Sequence, residues 1–176
     1  MTQAKNNYFC ITPFYPSNNS FIGSYIHDQI KTIKKCSNYD VFVIKINSVW
    51  KKKTESHYYF EGVKVYNFYY LDFPYWILPG IFKKINQKLF FKFLIKIKKH
   101  INHTDVFHCH VAYPSSILVE KIISKFSCML LTQHHGFDFL SMNNGPYNKN
   151  NLKIYNFKRL PFFKRINRVF IEKSLK

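Results

Sequence analysis

The chain has 176 residues, 47% hydrophobic and 19% aromatic, which suits one ordinary domain with a sizeable core and excludes disorder over most of the length. Its five glycines disfavour a turn-dense sandwich, and no apolar run reaches the roughly 18 residues needed to span a membrane. The net charge of +18 fits nucleic acid, an anionic membrane surface or phosphorylated substrates as partners, and equally fits an AT-rich coding bias toward Lys, Asn, Ile, Phe and Tyr with no selection for binding.

In chain order, residues 1–7 are polar and lead directly into a strand, without a secretory pattern. Residues 8–12 read as a short buried strand, followed by a loop of Pro, Asn and Ser over 13–20. Ile22, Tyr25, Ile26, Ile30 and Ile33 then recur at helical spacing, and Lys34 and Lys35 suit the negative end of that helix. A second apolar strand over 41–44 completes a parallel βαβ pattern. Residues 58–60 and 63–66, around Glu61 and Gly62, read as a hairpin or a strand extension.

A longer helix is predicted over 81–101. Its stripe of Phe82, Ile85, Leu89, Phe93 and Ile97 is expected to face the core, with Lys84, Lys88, Lys92, Lys96 and Lys99 opposite. Phe91 and Ile95 interrupt the lysine side. This suits either a solvated face or an interfacial helix that meets anionic headgroups through Lys84, Lys88, Phe91, Lys92 and Ile95. A strand over 105–110 follows, Pro114 opens a helix through 125, and 129–133 is the next strand. A polar loop over 142–151 precedes a last strand at 168–171. The alternation predicts an α/β class with a Rossmann-like parallel sheet flanked by helices. Cys10, Cys36, Cys109 and Cys128 form no CxxC pair and read as reduced, structural thiols of a cytosolic protein.

Ligands of open parallel sheets collect beyond the carboxyl ends of the strands, and three unusual segments fall there. The loop after the first strand ends at Gly23, where a missing side chain admits either a ligand to the helix N-terminus or close helix–strand packing. His108 and His110 share one side of their strand, with His110 at its mouth, able to donate to a hydroxyl or exchange a proton; His108 reads as a structural hydrogen-bonder. Tyr113 follows in the same turn. After the next strand, His134, His135, Gly136 and Asp138 cluster in a loop that faces the same cleft, Asp138 suiting substrate hydroxyls or a helix cap.

The pattern Tyr15–Pro16, Gly23–Ser24–Tyr25–Ile26, Gln29, then Asp105–Val106–Phe107–His108–Cys109–His110, Ala112–Tyr113–Pro114, then Thr132–Gln133–His134–His135–Gly136–Phe137–Asp138, resembles the N-terminal domain of glycosyltransferase family 4 across roughly residues 8–140. The resemblance implies the N-terminal, acceptor-side half of a GT-B enzyme over residues 1–176, transferring a sugar from a nucleotide-sugar to a glycan or lipid-linked acceptor with retention and without a required metal. It implies Gly23 near the donor diphosphate, His110 beside the transferred sugar, and His135, Gly136, Asp138 and Tyr113 on the acceptor side. The family often has paired glycines where this chain has only Gly23. Its donor-binding Lys/Arg and paired glutamates belong to a second domain, absent here. The expectation is therefore a truncated form, or one subunit that recruits a donor-binding partner, with no cofactor of its own and no sugar transfer in isolation. Location is expected in the cytoplasm, peripheral on the membrane face. Two other readings stay open: a non-catalytic membrane-surface or acceptor-binding protein, and a zinc hydrolase using His108, His110, His134, His135 and Asp138. Nucleic acid is not an expected partner, because no recognition signature accompanies the charge.

Overall fold

A computed structural model describes residues 5–51, 55–72, 80–98 and 100–134. The elements run β1 (Asn7–Thr12), α1 (Ser24–Cys36), β2 (Asp40–Ser48), β3 (His57–Phe60), β4 (Val63–Tyr70), α2 (Lys83–Ile97), β5 (Val106–His110), α3 (Ile117–Phe126) and β6 (Met129–Gln133). They form one six-stranded sheet in the order β3-β4-β2-β1-β5-β6. All neighbours pair in parallel except β3, which pairs antiparallel with β4 at the edge. Counting only the parallel strands, the spatial order is third, second, first, fourth, fifth, which is a Rossmann-like order with its reversal between β1 and β5. The α/β class and mostly parallel sheet expected from the alternating pattern are present; the expected last strand at 168–171 lies outside the described residues.

Strand alternation sorts the core into two layers. Phe9, Ile11, Ile44 and Phe107 point toward α2 and α3, where Phe90, Leu94 and Leu118 cover them. Tyr8, Cys10, Val43 and Val65 point the other way, toward Ile26 and Ile30 of α1. Phe9 anchors the first layer by stacking between Phe42 and Phe107, at 5.2 and 4.7 Å between centroids.

The base of the sheet is tied by Asp105, which is fully buried. Its Oδ1 accepts from Asn7 N (2.8 Å) and Asn7 Nδ2 (2.9 Å), and its Oδ2 accepts from Asn102 N (2.9 Å). This aspartate, which opens the Asp-x-x-His-x-His run, therefore sits at the end of the sheet opposite the candidate site and serves the fold.

Two expectations about helices are corrected. The inward face of α2 is Asn86, Gln87, Phe90 and Leu94, whereas Ile85 and Leu89 of the expected core stripe are exposed. Buried polar residues are tolerated because each meets backbone. Asn86 accepts from Leu71 N (2.8 Å) and donates to Leu71 O (2.7 Å), and Gln87 donates to Ile117 O (2.8 Å). Likewise, Pro114 does not open α3. It lies in the turn Ala112–Ser116, where Tyr113 is extended (φ −114°, ψ 131°), as a residue before proline prefers, and the helix starts at Ile117.

Candidate functional site

The reversal of strand order places two connections side by side above the carboxyl ends of β1 and β5, the ordinary ligand crevice of such sheets. The first is the loop from Pro13 to Gly23. Thr12 Oγ1 accepts from Phe14 N (3.0 Å) and donates to Phe14 O (3.0 Å), turning the chain immediately after β1. Lys45 Nζ donates to Tyr15 O (2.7 Å) and Tyr58 Oη donates to Pro16 O (2.8 Å), so strands β2 and β3 hold the loop from below. Burial, reinforced by the charge of Lys51, pulls the Lys45 ammonium below its usual value, and burial pushes the Tyr58 phenol up to about 12.

A second set of bonds fixes the same loop from the helix side. The buried Tyr15 hydroxyl pairs with His27 Nδ1 at 2.9 Å, and His27 Nε2 donates to Glu61 Oε2 at 3.1 Å. Lys31 Nζ also donates to Glu61 Oε2 (3.1 Å), and these bonds, Lys31 first, hold the Glu61 carboxyl below its usual range. Tyr15, His27 and Glu61 thus form a relay from the hairpin turn to the loop. None of the three was singled out as a site residue from the sequence, because they lie on three separate elements.

Gly23 caps α1 with φ 85°, a left-handed conformation that glycine adopts freely. A Cβ there would lie 2.5 Å from Phe14 O and 2.8 Å from Phe14 C. Of the two sequence readings, close backbone packing accounts for the glycine directly. The turn brings Phe14 against the start of α1 and leaves no room for a side chain.

The second connection follows β5. His108 and His110 do share one side of the strand, their rings 4.3 Å apart, and Tyr8 Oη hydrogen-bonds His108 Nδ1 from the adjacent strand. This contact bears out the structural assignment of His108. His110 is the last residue of β5, as expected, but its side chain is completely covered rather than open at the strand mouth. Ser115 Oγ donates to His110 O (2.8 Å), folding the turn back on the strand end. Val111 stands at φ 73°, ψ 143°, a positive φ that a β-branched residue adopts at a cost of about 1–3 kcal/mol. Strain of this kind concentrates where the backbone is aimed for a purpose, and no sequence signal marks it.

Tyr113 is buried, and its hydroxyl accepts from Gly80 N (3.2 Å). Burial raises its phenol to about 12, opposed by the Gly80 bond and assisted by the charge of Asp72. Asp72, two residues past the end of β4, lies at the same end of the sheet, and nothing in its sequence surroundings sets it apart among nine acidic residues. His135, Gly136 and Asp138 lie outside the described residues. Among the described residues, no three His, Cys, Asp or Glu side chains converge as a metal-binding group.

On the outer side of α2, Lys84, Lys88, Lys92 and Ile95 are exposed as expected, with Ile85 and Leu89 beside them. Phe91 is the exception. It is half-buried against Phe126 of α3 (6.0 Å, stacked), under Lys125 Nζ at 5.4 Å, so it is used in helix packing and is withdrawn from the outer face. No described helix is long and apolar enough to cross a membrane.

Comparison with protein families, with curated proteins and with solved structures finds no match to this chain.

Proposed function

We propose that this chain is the acceptor-side half of a GT-B glycosyltransferase of the family 4 kind, which transfers a sugar from a nucleotide-sugar to a glycan or lipid-linked acceptor. The observation that carries the reading is the convergence at one switch point of the Gly23 loop, held by Lys45, Tyr58 and His27, and the His110–Val111 strand end with its positive φ. Two connections held in place in this way suit the positioning of an acceptor hydroxyl against an activated sugar, which the transfer demands. The histidine ring is covered in the free chain, and we assign its contact with the sugar to the donor-loaded enzyme. Stabilising the leaving diphosphate requires a donor-binding half, in the same polypeptide or from a partner subunit.

Deleting the gene from its cell tests the reading. The expected result is loss of one glycosylated lipid or polysaccharide, restored by the wild-type gene and not by His110→Ala. Circular dichroism of His110→Ala and His110→Asn separates loss of function from loss of fold. An unchanged glycan and glycolipid profile overturns the proposal.

A second reading is favoured by the exposed Ile85, Leu89 and Ile95 among lysines on α2. It has the chain docking on an anionic membrane surface, beside a lipid-linked acceptor or as a non-catalytic membrane-surface protein. Flotation with anionic but not neutral vesicles is expected; equal recovery with both removes this reading.

A further inference from the structure

Beyond the tips of β2 and β4, an exposed indole and a half-buried carboxylate are built into a single rigid unit. Ser48, the last residue of β2, pairs in register with Tyr70, the last residue of β4. Past this pair, Val49 N donates to Tyr70 O (3.0 Å) and Lys51 N to Ser48 O (3.0 Å), so the chain turns sharply and carries Trp50 at its tip. On the β4 side, the two bonds between Asn86 and Leu71 fix the residue immediately before Asp72. The two tips are then locked together. Ser48 Oγ accepts from Trp50 N (3.3 Å) and donates to Asp72 Oδ1 (2.5 Å), while Trp50 Nε1 donates to Asp72 O (2.6 Å).

The result is a tryptophan clamped at its backbone and at its ring N–H, yet with 63% of its surface open to solvent. An indole tied down for packing alone would be buried. Here the fold spends three hydrogen bonds on holding an apolar plate in water, with its ring N–H already satisfied and only its π-surface left to offer. The residue that holds the indole N–H, Asp72, also carries a carboxylate, engaged at Oδ1 by Ser48; Tyr70 also hydrogen-bonds it, and Lys51 is close enough to act on it by charge.

A pyranose ring has the complementary chemistry. Its axial C–H face is apolar and weakly positive, and packs on the electron-rich face of an indole. Its edge carries hydroxyls in vicinal pairs, which donate to a carboxylate. We infer that Trp50 and Asp72 form a binding subsite for a neutral pyranoside, the ring stacking on the Trp50 indole and a hydroxyl donating to the Asp72 carboxylate. The rigidity of the unit reduces the ordering lost on binding. Strands β2, β4 and β5 run parallel, so the subsite beyond the ends of β2 and β4 lies at the same end of the sheet as the β5 turn. The inference rests on the acceptor-side reading only in taking the bound pyranoside as part of the acceptor; the recognition chemistry stands without it.

Saturation-transfer difference NMR on the full chain tests it, with the methyl α- and β-glycosides of glucose, galactose, mannose and N-acetylglucosamine as probes and acyclic sorbitol as the control. Transfer to the ring C–H protons of at least one pyranoside, and none to sorbitol, is expected. Trp50→Ala should abolish the transfer and Trp50→Phe should retain it. Asp72→Asn, which keeps the shape and the Ser48 bond but removes the charge, should weaken binding roughly tenfold. Absence of transfer to every pyranoside, or transfer unchanged in Trp50→Ala with native circular dichroism, overturns the subsite. If binding fails while gene deletion still removes a glycan, the subsite is wrong and the transferase reading stands. If binding holds while deletion leaves the glycans unchanged, the sugar site stands without the transferase.

Discussion

Gly23 combines the left-handed backbone at φ 85° with a Cβ position 2.5 Å from the Phe14 carbonyl oxygen. Gly23→Ala therefore meets two penalties, a disfavoured φ and a clash with backbone that a rotamer change cannot relieve. A loss of about 2–4 kcal/mol is expected, read as a lower urea midpoint at unchanged slope. A wild-type midpoint would show that the loop accommodates a methyl group and that the glycine has another purpose. The thiols give a separate test at this scale. Cys10 and Cys109 are wholly buried on adjacent strands and Cys128 is buried beside Asp105, and burial raises all three, Cys128 to about 11. Cys36 is exposed at the end of α1. Iodoacetamide should label Cys36 alone in the native chain, with all four labelled in urea, as mass spectrometry would record. The residues that carry local chemistry in sequence, Gly23 and His110, were legible because glycine and histidine at strand ends are informative by type. Trp50 and Asp72 were not, because 22 residues separate them and only the β2–β4 register brings them together.

Among the elements, the hairpin between β3 and β4 is joined to α1 through Glu61, which receives His27 and Lys31. The folded-state carboxyl lies below its ordinary value of 4.5. A depressed acid contributes stability that is fully present above 4.5 and is lost as pH falls through the lower, folded value. Glu61→Gln should therefore lower stability at neutral pH and flatten the acid limb below 4.5 relative to wild type; parallel acid limbs would show that the ion pairs contribute nothing there. A larger effect is expected at the opposite end of the sheet. Asp105→Ala strips the buried Asn7 backbone and side-chain N–H groups, and the Asn102 backbone N–H, of their acceptor and should cost about 3 kcal/mol, measured by chemical denaturation. Helix α1 and the strands β1, β2, β5 and β6 were legible because their apolar residues follow a single period. The inward face of α2 was misread for a physical reason. Counting apolar residues assigns Asn86 and Gln87 to solvent, whereas the tip of β4 and the start of α3 each present backbone groups that these buried amides meet. Once those two amides face inward, Ile85 and Leu89 are turned out.

For the molecule as a whole, the decisive question is whether the charge of +18 acts anywhere in particular. A uniformly basic surface would bind anionic vesicles in any orientation, and each lysine near the headgroups would contribute about 1 kcal/mol wherever it sits. On the outer face of α2, exposed Ile85, Leu89 and Ile95 lie among Lys84, Lys88 and Lys92, and no acidic residue occurs in the helix. Two triple variants separate the possibilities. Lys84→Glu/Lys88→Glu/Lys92→Glu changes the α2 face, and Lys34→Glu/Lys35→Glu/Lys121→Glu makes the same charge change at exposed positions on α1 and α3. If docking is localised on α2, the first variant should lower vesicle partitioning roughly a hundredfold and the second should alter it little. Replacing Ile85 and Leu89 by serine should weaken binding at high salt more than at low salt, because screening removes the lysine contribution first and leaves the apolar one. Equal loss in both charge variants would assign the attraction to overall composition and detach the membrane from the function of this fold. Selective loss would place α2 against the lipid and turn the carboxyl end of the sheet, with Trp50, Asp72 and the β5 turn, into a cleft within reach of a membrane-bound acceptor.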